Sequence, residues 1–365
     1  MENTQVIMIG MIEQMCTRQD VCLESFQVAR DIMNSDVKTL TLDHNVNQCL
    51  KFMERYKVRH VPVIDFPYEE KGKPCFIGVV SQRDVLRLSA HDAKGNIKQE
   101  TDKKALRQLL VQIVSRKPKS VSLQTPIREV ISTMISNHVD MVPVLDNADL
   151  VGIITTNDIL KLLFKLDKVV NELLPKLQKG AADINSEDSA GAEILSSWIS
   201  RTAKEIMTEQ VICLEPHDNL DKAIEILQTE EIRHLMITDE HEKLLGLISD
   251  RNILGKLPFA GRRPPSPPKV FREHLFVNKP PIKSDQYPLE EIMVDKSKVL
   301  SIESGCKITE AARILYEKKI SCLPVLDEQE RLQGLVTVTD LMRAMLDVYE
   351  PVQEVGLEQK DSSAR

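Results

Sequence analysis

Residues 152–160 have the sequence GIITTNDIL, a short apolar strand that ends in a polar turn and continues as a helix. The same pattern occurs three more times. Each copy has a glycine, two aliphatic residues, a hydroxyl side chain, two variable residues and a carboxylate or its amide: GVVSQRDVL at 78–86, GLISDRNIL at 246–254 and GLVTVTDLM at 334–342. Four copies in order predict a protein built from four repeats.

The residues before each copy predict the order strand, helix, strand, strand, helix, and therefore an α/β (α+β) fold. The first helix of every repeat has apolar residues at i, i+3, i+4 and i+7, which is the spacing of one buried face. These residues are Val46, Cys49, Leu50 and Met53, then Ile127, Val130, Ile131 and Met134, then Leu220, Ala223, Ile224 and Leu227, and finally Ile308, Ala311, Ala312 and Leu315. The shared phase allows positions to be compared between repeats.

Shifts in composition divide the chain further. The predicted repeats 1 to 4 cover 28–91, 110–165, 203–257 and 289–347. The segments around them are a helical extension at 1–27, a helix and flexible linker at 166–202, a Pro-rich connector at 258–288 and a disordered tail at 348–365. The linker divides the chain into two modules of two repeats each, and the connector predicts either an exposed spacer or a polyproline II ligand.

The 365 residues carry a net charge of −7, with 42% hydrophobic and 28% charged residues. This is the composition of a globular protein long enough for two domains. The acidic balance argues against a nucleic-acid partner, which usually requires a basic surface. Because no run of about 18 apolar residues occurs and Glu2 stands where a signal sequence would be basic, we expect no membrane insertion and a cytoplasmic location.

The seven cysteines include no Cys-x-x-Cys pair. Cys49 and Cys322 fall on apolar positions of their repeats, so we expect small core residues and no metal site. The sequence also lacks a dinucleotide-binding glycine motif, a phosphate loop, His-Glu-x-x-His and a nucleophile elbow. We therefore expect that the protein is not an enzyme.

A hydroxyl side chain and an acid or amide recur three residues apart where strand turns into helix. The pairs are Ser81 with Asp84, Thr155 with Asp158, Ser249 with Asn252, and Thr337 with Asp340. Such a carboxylate could accept both hydroxyl protons of a ribose, while the hydroxyl and the free N–H groups of the first helical turn could bind polar groups. The same residue types are also ordinary helix caps, so a mixed role is predicted.

An adjacent arginine and histidine precede the motif only in the odd-numbered repeats. Repeats 1 and 3 have adjacent Arg59 and His60, and Arg233 and His234, and each adds an arginine inside the motif, Arg83 and Arg251. An arginine can hold phosphate oxygens bidentately, and a histidine can add a second donor. A solvated arginine beside a half-buried histidine is the alternative for any one pair.

Small residues align in the first extended segment of the repeats, and their size would let a flat ring approach the backbone. They are Thr39, Ser120, Cys213 and Ser301. Close packing alone would also explain small side chains at these positions.

The element order, the opening Ile32-Met33, the Arg-His-Val-Pro-Val segment at 59–63 and the Gly-to-Asp motif together resemble cystathionine-β-synthase (CBS) domains. This resemblance implies that repeats 1 and 2, and repeats 3 and 4, pair through their sheets into two Bateman modules. Two such modules in one chain are similar to the gamma subunit of AMP-activated protein kinase. The resemblance also implies a monomer with two internally paired modules or a homodimer.

CBS modules commonly bind adenosine-containing ligands between paired repeats, with Ser/Thr and Asp holding the ribose. The resemblance thus implies a sensor of AMP, ADP, ATP or S-adenosylmethionine, with Mg²⁺ as an optional companion of the phosphates, that signals to a separate effector protein. A ligand-independent scaffold for protein assembly is the alternative. Because repeat 1 alone combines the acid and the cations, we expect the most complete site around Ser81, Asp84, Arg59 and His60.

Overall fold

The computed structural model describes residues 28–66, 74–89, 107–165, 200–256 and 288–349. The predicted extension, linker, connector and tail lie outside these residues, except for 200–202, 288 and 348–349. Repeat 1 contains strand β1 (Leu40–Thr41), helix α2 (Val46–Tyr56), strands β2 (His60–Asp65) and β3 (Cys75–Ser81), and helix α3 (Gln82–Ser89). A short helix, α1 (Ala29–Ile32), precedes them. The predicted order of elements is confirmed.

The other repeats have the same order. Repeat 2 comprises β4 (Ser115–Arg116), β5 (Val121–Ser122), α4 (Ile127–Ser136), β6 (Met141–Asp146), β7 (Asp149–Thr155) and a helix, α5, over 156–165. Repeat 3 comprises α6 (Ala203–Ile206), β8 (Cys213–Leu214), α7 (Leu220–Thr229), β9 (His234–Thr238), β10 (Leu244–Ser249) and α8 (Asp250–Lys256). Repeat 4 comprises β11 (Val294–Asp295), β12 (Ile302–Glu303), α9 (Ile308–Lys318), β13 (Cys322–Leu326), β14 (Leu332–Thr337) and α10 (Val338–Tyr349). Single-turn 3₁₀ helices at Leu110–Gln112, Leu289–Glu291 and Lys296–Lys298 complete the described elements.

The first helices bury the residues that the periodicity selects. All four predicted apolar positions are buried in each of α2, α4, α7 and α9. Asparagine caps begin two of these helices: Asn45 Oδ1 accepts from the backbone N–H of Gln48 at 2.9 Å, and Asn219 Oδ1 accepts from that of Lys222 at 2.9 Å. Each cap satisfies a donor that the helix start leaves open.

Each repeat lends its opening segment to the sheet of its partner. In repeat 2, β4 pairs with β3 of repeat 1 and extends that sheet to the order β1-β2-β3-β4. In return, Asn34 of repeat 1 forms a bridge with Ile153 of β7. Repeats 3 and 4 repeat the exchange through the β10–β11 pairing and the Thr208–Leu335 bridge. The exchange explains why repeats 1 and 2, and repeats 3 and 4, form two pairs.

The glycine that opens each motif copy leaves room for the exchanged segment. A Cβ on Gly152 would lie 2.5 Å from Met33 Sδ, and a Cβ on Gly334 would lie 2.6 Å from Met207 Sδ. Gly246 meets the backbone oxygen of Val294 in the same way, at 2.5 Å. Real Cβ atoms do not approach heavy atoms this closely, so only glycine fits.

Two large apolar cores hold the modules together. One joins buried residues of repeats 1 and 3, and the other joins buried residues of repeats 2 and 4. Helices α3 and α8 contact each other across the first interface, and α4 and α10 across the second. The odd-numbered repeats therefore face each other, and so do the even-numbered ones. Cys49 and Cys322 are buried free thiols, as predicted, and burial raises the pKa of each to about 12.

No helix within the described ranges is long and apolar enough to cross a membrane. The same ranges contain no group of three or more His, Cys, Asp or Glu side chains arranged to hold a metal ion.

Candidate functional site

The hydroxyl and acid of each motif copy form a helix cap. In repeat 4 the backbone N–H and the hydroxyl of Thr337 donate to Asp340 Oδ2, at 2.8 and 2.6 Å. Thr155 donates to Asp158 Oδ2 at 2.8 and 2.7 Å in the same manner. The same pair of bonds joins Ser81 to Asp84, at 2.8 and 2.6 Å, and Ser249 to Asn252, at 3.1 and 2.5 Å. The capping half of the predicted mixed role is thus present in all four repeats.

The caps occupy one carboxylate oxygen and leave the other for a further partner. In repeat 4 that partner includes Arg343, whose Nη1 donates to Asp340 Oδ1 at 3.3 Å. Only 5% of Asp340 is exposed. Burial raises the pKa of Asp340 and of Asp158, while the hydrogen bonds from their threonines partly oppose this rise. A second acceptor oxygen at a buried helix start is what a ribose hydroxyl would require.

Asp340 lines a cavity of about 280 Å³, the central cavity, which lies between the two modules. Its walls come from all four repeats. Repeat 3 contributes the segment before β8, from Thr208 to Ile212, and the segment 231–234; repeat 4 contributes Ser321 and the start of α10. Repeat 2 contributes the end of α4 and the segment 138–140. The volume lies just below the range found for small-molecule sites, about 300–1,000 Å³.

The cavity gathers arginines from the odd-numbered repeats around the acid of repeat 4. Arg59, Arg83 and Arg233 line it together with Asp340. Arg83 Nη2 donates to the backbone oxygen of Glu231 at 3.1 Å, which ties repeat 1 to repeat 3. Burial, together with the charges of Arg83 and Arg59, lowers the pKa of Arg233 to about 9, against the opposing charge of Asp250. Like charges are held together here because repeats 1 and 3 face each other.

The two predicted phosphate-binding histidines are neutral at pH 7. Burial and the nearby charges of Arg233, Arg59 and Arg83 together lower the pKa of His60 to about 3. Burial likewise lowers the pKa of His234 to about 4, against the opposing charge of Asp250. His234 Nε2 lies 2.9 Å from Ser321 Oγ, a contact between repeats 3 and 4. These rings can donate or accept a hydrogen bond but bring no charge to an anion.

The structure brings six of the predicted residues to this cavity: Arg59, Arg83, Arg233, His234, Thr337 and Asp340. The other predicted residues are described but do not line it: Thr39, His60, Ser81, Asp84, Ser120, Thr155, Asp158, Ser249, Arg251, Asn252 and Ser301. The predicted residues of one repeat therefore do not form one site, because Arg59 of repeat 1 lines the same cavity as Asp340 of repeat 4. A ligand site at Ser81 and Asp84 stays a prediction.

Sequence reasoning missed several cavity residues. Asp140 and Ser321 occupy the aligned position of Arg59 and Arg233, so the alignment of repeats marked that position as a wall of the site. Arg343 follows Asp340 by one helical turn. Ile212 comes from the segment before β8 and has no such signal, because its exposed apolar side chain resembles that of any loop residue.

The arrangement can hold a molecule with both an uncharged and an anionic part. Val211 and Ile212 offer apolar contact, Asp340 offers an acceptor oxygen, and the arginines offer donors that suit a phosphate or carboxylate.

Comparison with known proteins identifies the repeats. A family model described as "CBS domain" matches residues 29–91, 110–165, 203–258 and 289–347, which is more than half of the chain. Protein MJ1404 of Methanocaldococcus jannaschii is 24% identical over 322 residues, and the match covers 87% of this chain and 62% of MJ1404. Protein MJ1225 of the same organism is 22% identical over 322 residues, covering 87% of this chain and 98% of MJ1225. The chain thus spans less than two thirds of MJ1404.

Two solved structures share the fold over most of the chain. The crystal structure of MJ1225, which has been proposed as an archaeal homologue of the gamma subunit of AMP-activated protein kinase, superposes with a TM-score of 0.63 at 20% identity. It matches over 87% of this chain and 99% of its own. A conserved protein from Pyrococcus horikoshii superposes with a TM-score of 0.51 at 18% identity, over 87% of this chain and 99% of its own. Both similarities show the fold alone.

Proposed function

Because this chain belongs to the family of CBS-domain proteins, we propose that it is a regulatory protein that binds an adenosine-containing ligand in the cavity of Thr337 and Asp340. The observation that carries this proposal is the meeting of Asp340 with Arg59, Arg83 and Arg233 in one cavity. A carboxylate and several guanidinium groups are complementary to the hydroxyls of a ribose and to the phosphate of a nucleotide.

The ligand identity follows from matching these groups to the chemistry of a nucleotide. We assign the ribose to the acceptor oxygen of Asp340, the base to the segment of Val211 and Ile212, and the phosphate to the arginines. AMP, ADP, ATP and S-adenosylmethionine all contain the adenosine part. Mg²⁺ would enter with the phosphates of ADP or ATP.

The regulatory role follows from the position of the cavity between the modules. A ligand there contacts side chains of all four repeats, so its affinity depends on the relative position of the two modules. A ligand shifts a balance of two states only by its difference in affinity for them, and a change from 1:99 to 99:1 requires about 5.5 kcal/mol. The output would be a change in the surface offered to a separate effector protein.

Thermal unfolding tests the proposal. The protein should be heated with AMP, ADP, ATP, S-adenosylmethionine or a cyclic dinucleotide, with and without Mg²⁺. A ligand present at about 100 times its Kd should stabilise the folded state by roughly 2.7 kcal/mol. No stabilisation by any of these compounds would reject the proposal in favour of a ligand-independent scaffold.

A further inference from the structure

Repeat 2 places a carboxylate where the odd-numbered repeats place an arginine. Asp140 occupies the position of Arg59 and Arg233 in the alignment of the four repeats. The backbone there makes the same hydrogen bond in repeats 1 and 2. The backbone N–H of Thr156 donates to the backbone oxygen of Asp140 at 3.0 Å, and that of Gln82 donates to the backbone oxygen of Arg59 at 2.9 Å. The repeats therefore differ at this position in the sign of the charge that they present to the centre.

Asp140 pairs with Arg233 across the two modules. Asp140 Oδ2 and Arg233 Nη1 are in direct contact, and the two side chains are only 15% and 22% exposed. Both residues line the central cavity, beside Arg59 and Arg83. One of the arginines available to an anion thus already has a carboxylate as its neighbour.

A phosphate that approaches Arg233 meets the negative charge of Asp140 at the same time. The attraction of the ligand to the arginines and its repulsion by Asp140 both grow with the negative charge of the ligand. The ion pair with Asp140 weakens the attraction of the ligand to Arg233 and does not weaken the repulsion. Between partly buried side chains such charges interact more strongly than in bulk solvent. Every phosphate beyond the first therefore contributes less to binding than it would if Asp140 were uncharged.

We propose, on the basis of the proposed function, that Asp140 is a specificity-determining residue that weakens the binding of ligands with a high negative charge. The cavity then selects adenosine ligands with at most one phosphate over ADP and ATP. AMP and an adenosine ligand without phosphate both belong to this class, and titration with each separates them.

A purely structural role for Asp140 makes a different prediction. If the ion pair only joins repeats 2 and 3, its loss would lower the stability of the protein and weaken all ligands by the same factor. The quantity that separates the two roles is the ratio of the Kd for ATP to the Kd for AMP, since a uniform effect cancels in this ratio.

Isothermal titration of the full chain with AMP, ADP, ATP and adenosine, without Mg²⁺, tests the proposal in wild type and in Asp140→Asn. The variant keeps the shape of the side chain and removes its charge. We expect the ATP-to-AMP ratio of Kd values to fall about tenfold, which corresponds to about 1.4 kcal/mol. Asp146→Asn is the matched control, because Asp146 is an exposed acid at the end of β6, the strand that follows Asp140, and lies outside the cavity; its ratio should stay within about twofold of wild type.

A second variant, Asp140→Ser, covers a failure of Asp140→Asn to fold. It removes the same charge with a smaller polar side chain, so the ratio should fall in this variant as well. If wild type binds these nucleotides and neither variant changes the ratio, the role of Asp140 is rejected while the proposed function stands. If wild type binds no adenosine compound, both proposals fail together.

Discussion

Gly152 packs directly against the side chain of Met33: a Cβ on the glycine would lie 2.5 Å from Sδ and 2.9 Å from Cγ. Met33 belongs to the opening segment of repeat 1, and Gly152 belongs to the last strand of repeat 2. This contact therefore joins the two halves of one module. The repeated glycine of the motif has its explanation here, in the approach of a neighbouring segment.

Gly152→Ala should destabilise the protein by about 1–3 kcal/mol, because an added methyl in a tightly packed site forces its neighbours to move. Urea unfolding monitored by circular dichroism would measure the loss. Gly305→Ala is the matched control, since a Cβ there meets no atom within 4 Å. Met33→Ala combined with Gly152→Ala should recover part of the loss, and equal stability of wild type and Gly152→Ala would contradict the packing argument.

Asp340→Asn should preserve the fold and weaken the binding of the adenosine ligand. Asn252 already caps the equivalent helix of repeat 3, where Oδ1 accepts from the backbone N–H of Ser249 at 3.1 Å, so an amide can replace the acid as a cap. A hydrogen bond to a charged acceptor contributes about 1.5–3 kcal/mol, which corresponds to a Kd increase of about tenfold or more. Titration calorimetry measures this increase.

The matched control for Asp340→Asn is Asp158→Asn. Asp158 makes the same cap in repeat 2 but does not line the central cavity. The two variants should have similar unfolding temperatures without ligand and differ in Kd. An equal loss of affinity in both would show that the assignment of the ribose to Asp340 is wrong.

The stability of the protein should decrease as the pH falls below about 6.5. His60 and His234 have pKa values of about 3 and 4 in the folded protein, well below the value near 6.5 expected in the unfolded chain. Below pH 6.5 the unfolded chain binds protons that the folded protein does not, so acid favours unfolding. Each histidine contributes a slope of up to about 1.4 kcal/mol per pH unit, and this contribution is complete below the folded pKa.

Urea unfolding at a series of pH values from 7.5 to about 5 would measure this slope. His60→Gln and His234→Gln should each make the dependence shallower, because the glutamine does not titrate. His217→Gln, at an exposed histidine, controls for the loss of a histidine as such. A slope that is identical in wild type and in both variants would contradict the burial of neutral rings.

Leu341→Ala should destabilise the protein by about 2–5 kcal/mol, the usual cost of removing a buried leucine side chain. Leu341 is 1% exposed and belongs to the core that joins repeats 2 and 4. Leu300→Ala is the control at a 43% exposed leucine and should change the stability by no more than about 0.5 kcal/mol. Thermal denaturation of both variants compares them.

The sequence by itself determined the repeats, the order of their elements and the buried face of each first helix. Val46, Cys49, Leu50 and Met53 are close in the chain, and a helical period of 3.6 residues places them on one face without reference to any other part of the molecule. The same holds for the caps, since Thr337 and Asp340 meet across three residues. Local spacing is sufficient for such features.

The tertiary structure alone decided which residues share a site. Arg59, Asp140, Arg233 and Asp340 come from four different repeats, and the alignment of the first three positions does not show that these side chains share a cavity. They meet because the odd repeats face each other across a shared apolar core that includes Val85 of α3 and Ile253 of α8, and the even repeats do the same. The burial of apolar surface between the modules sets this geometry, and the charges at the centre follow from it.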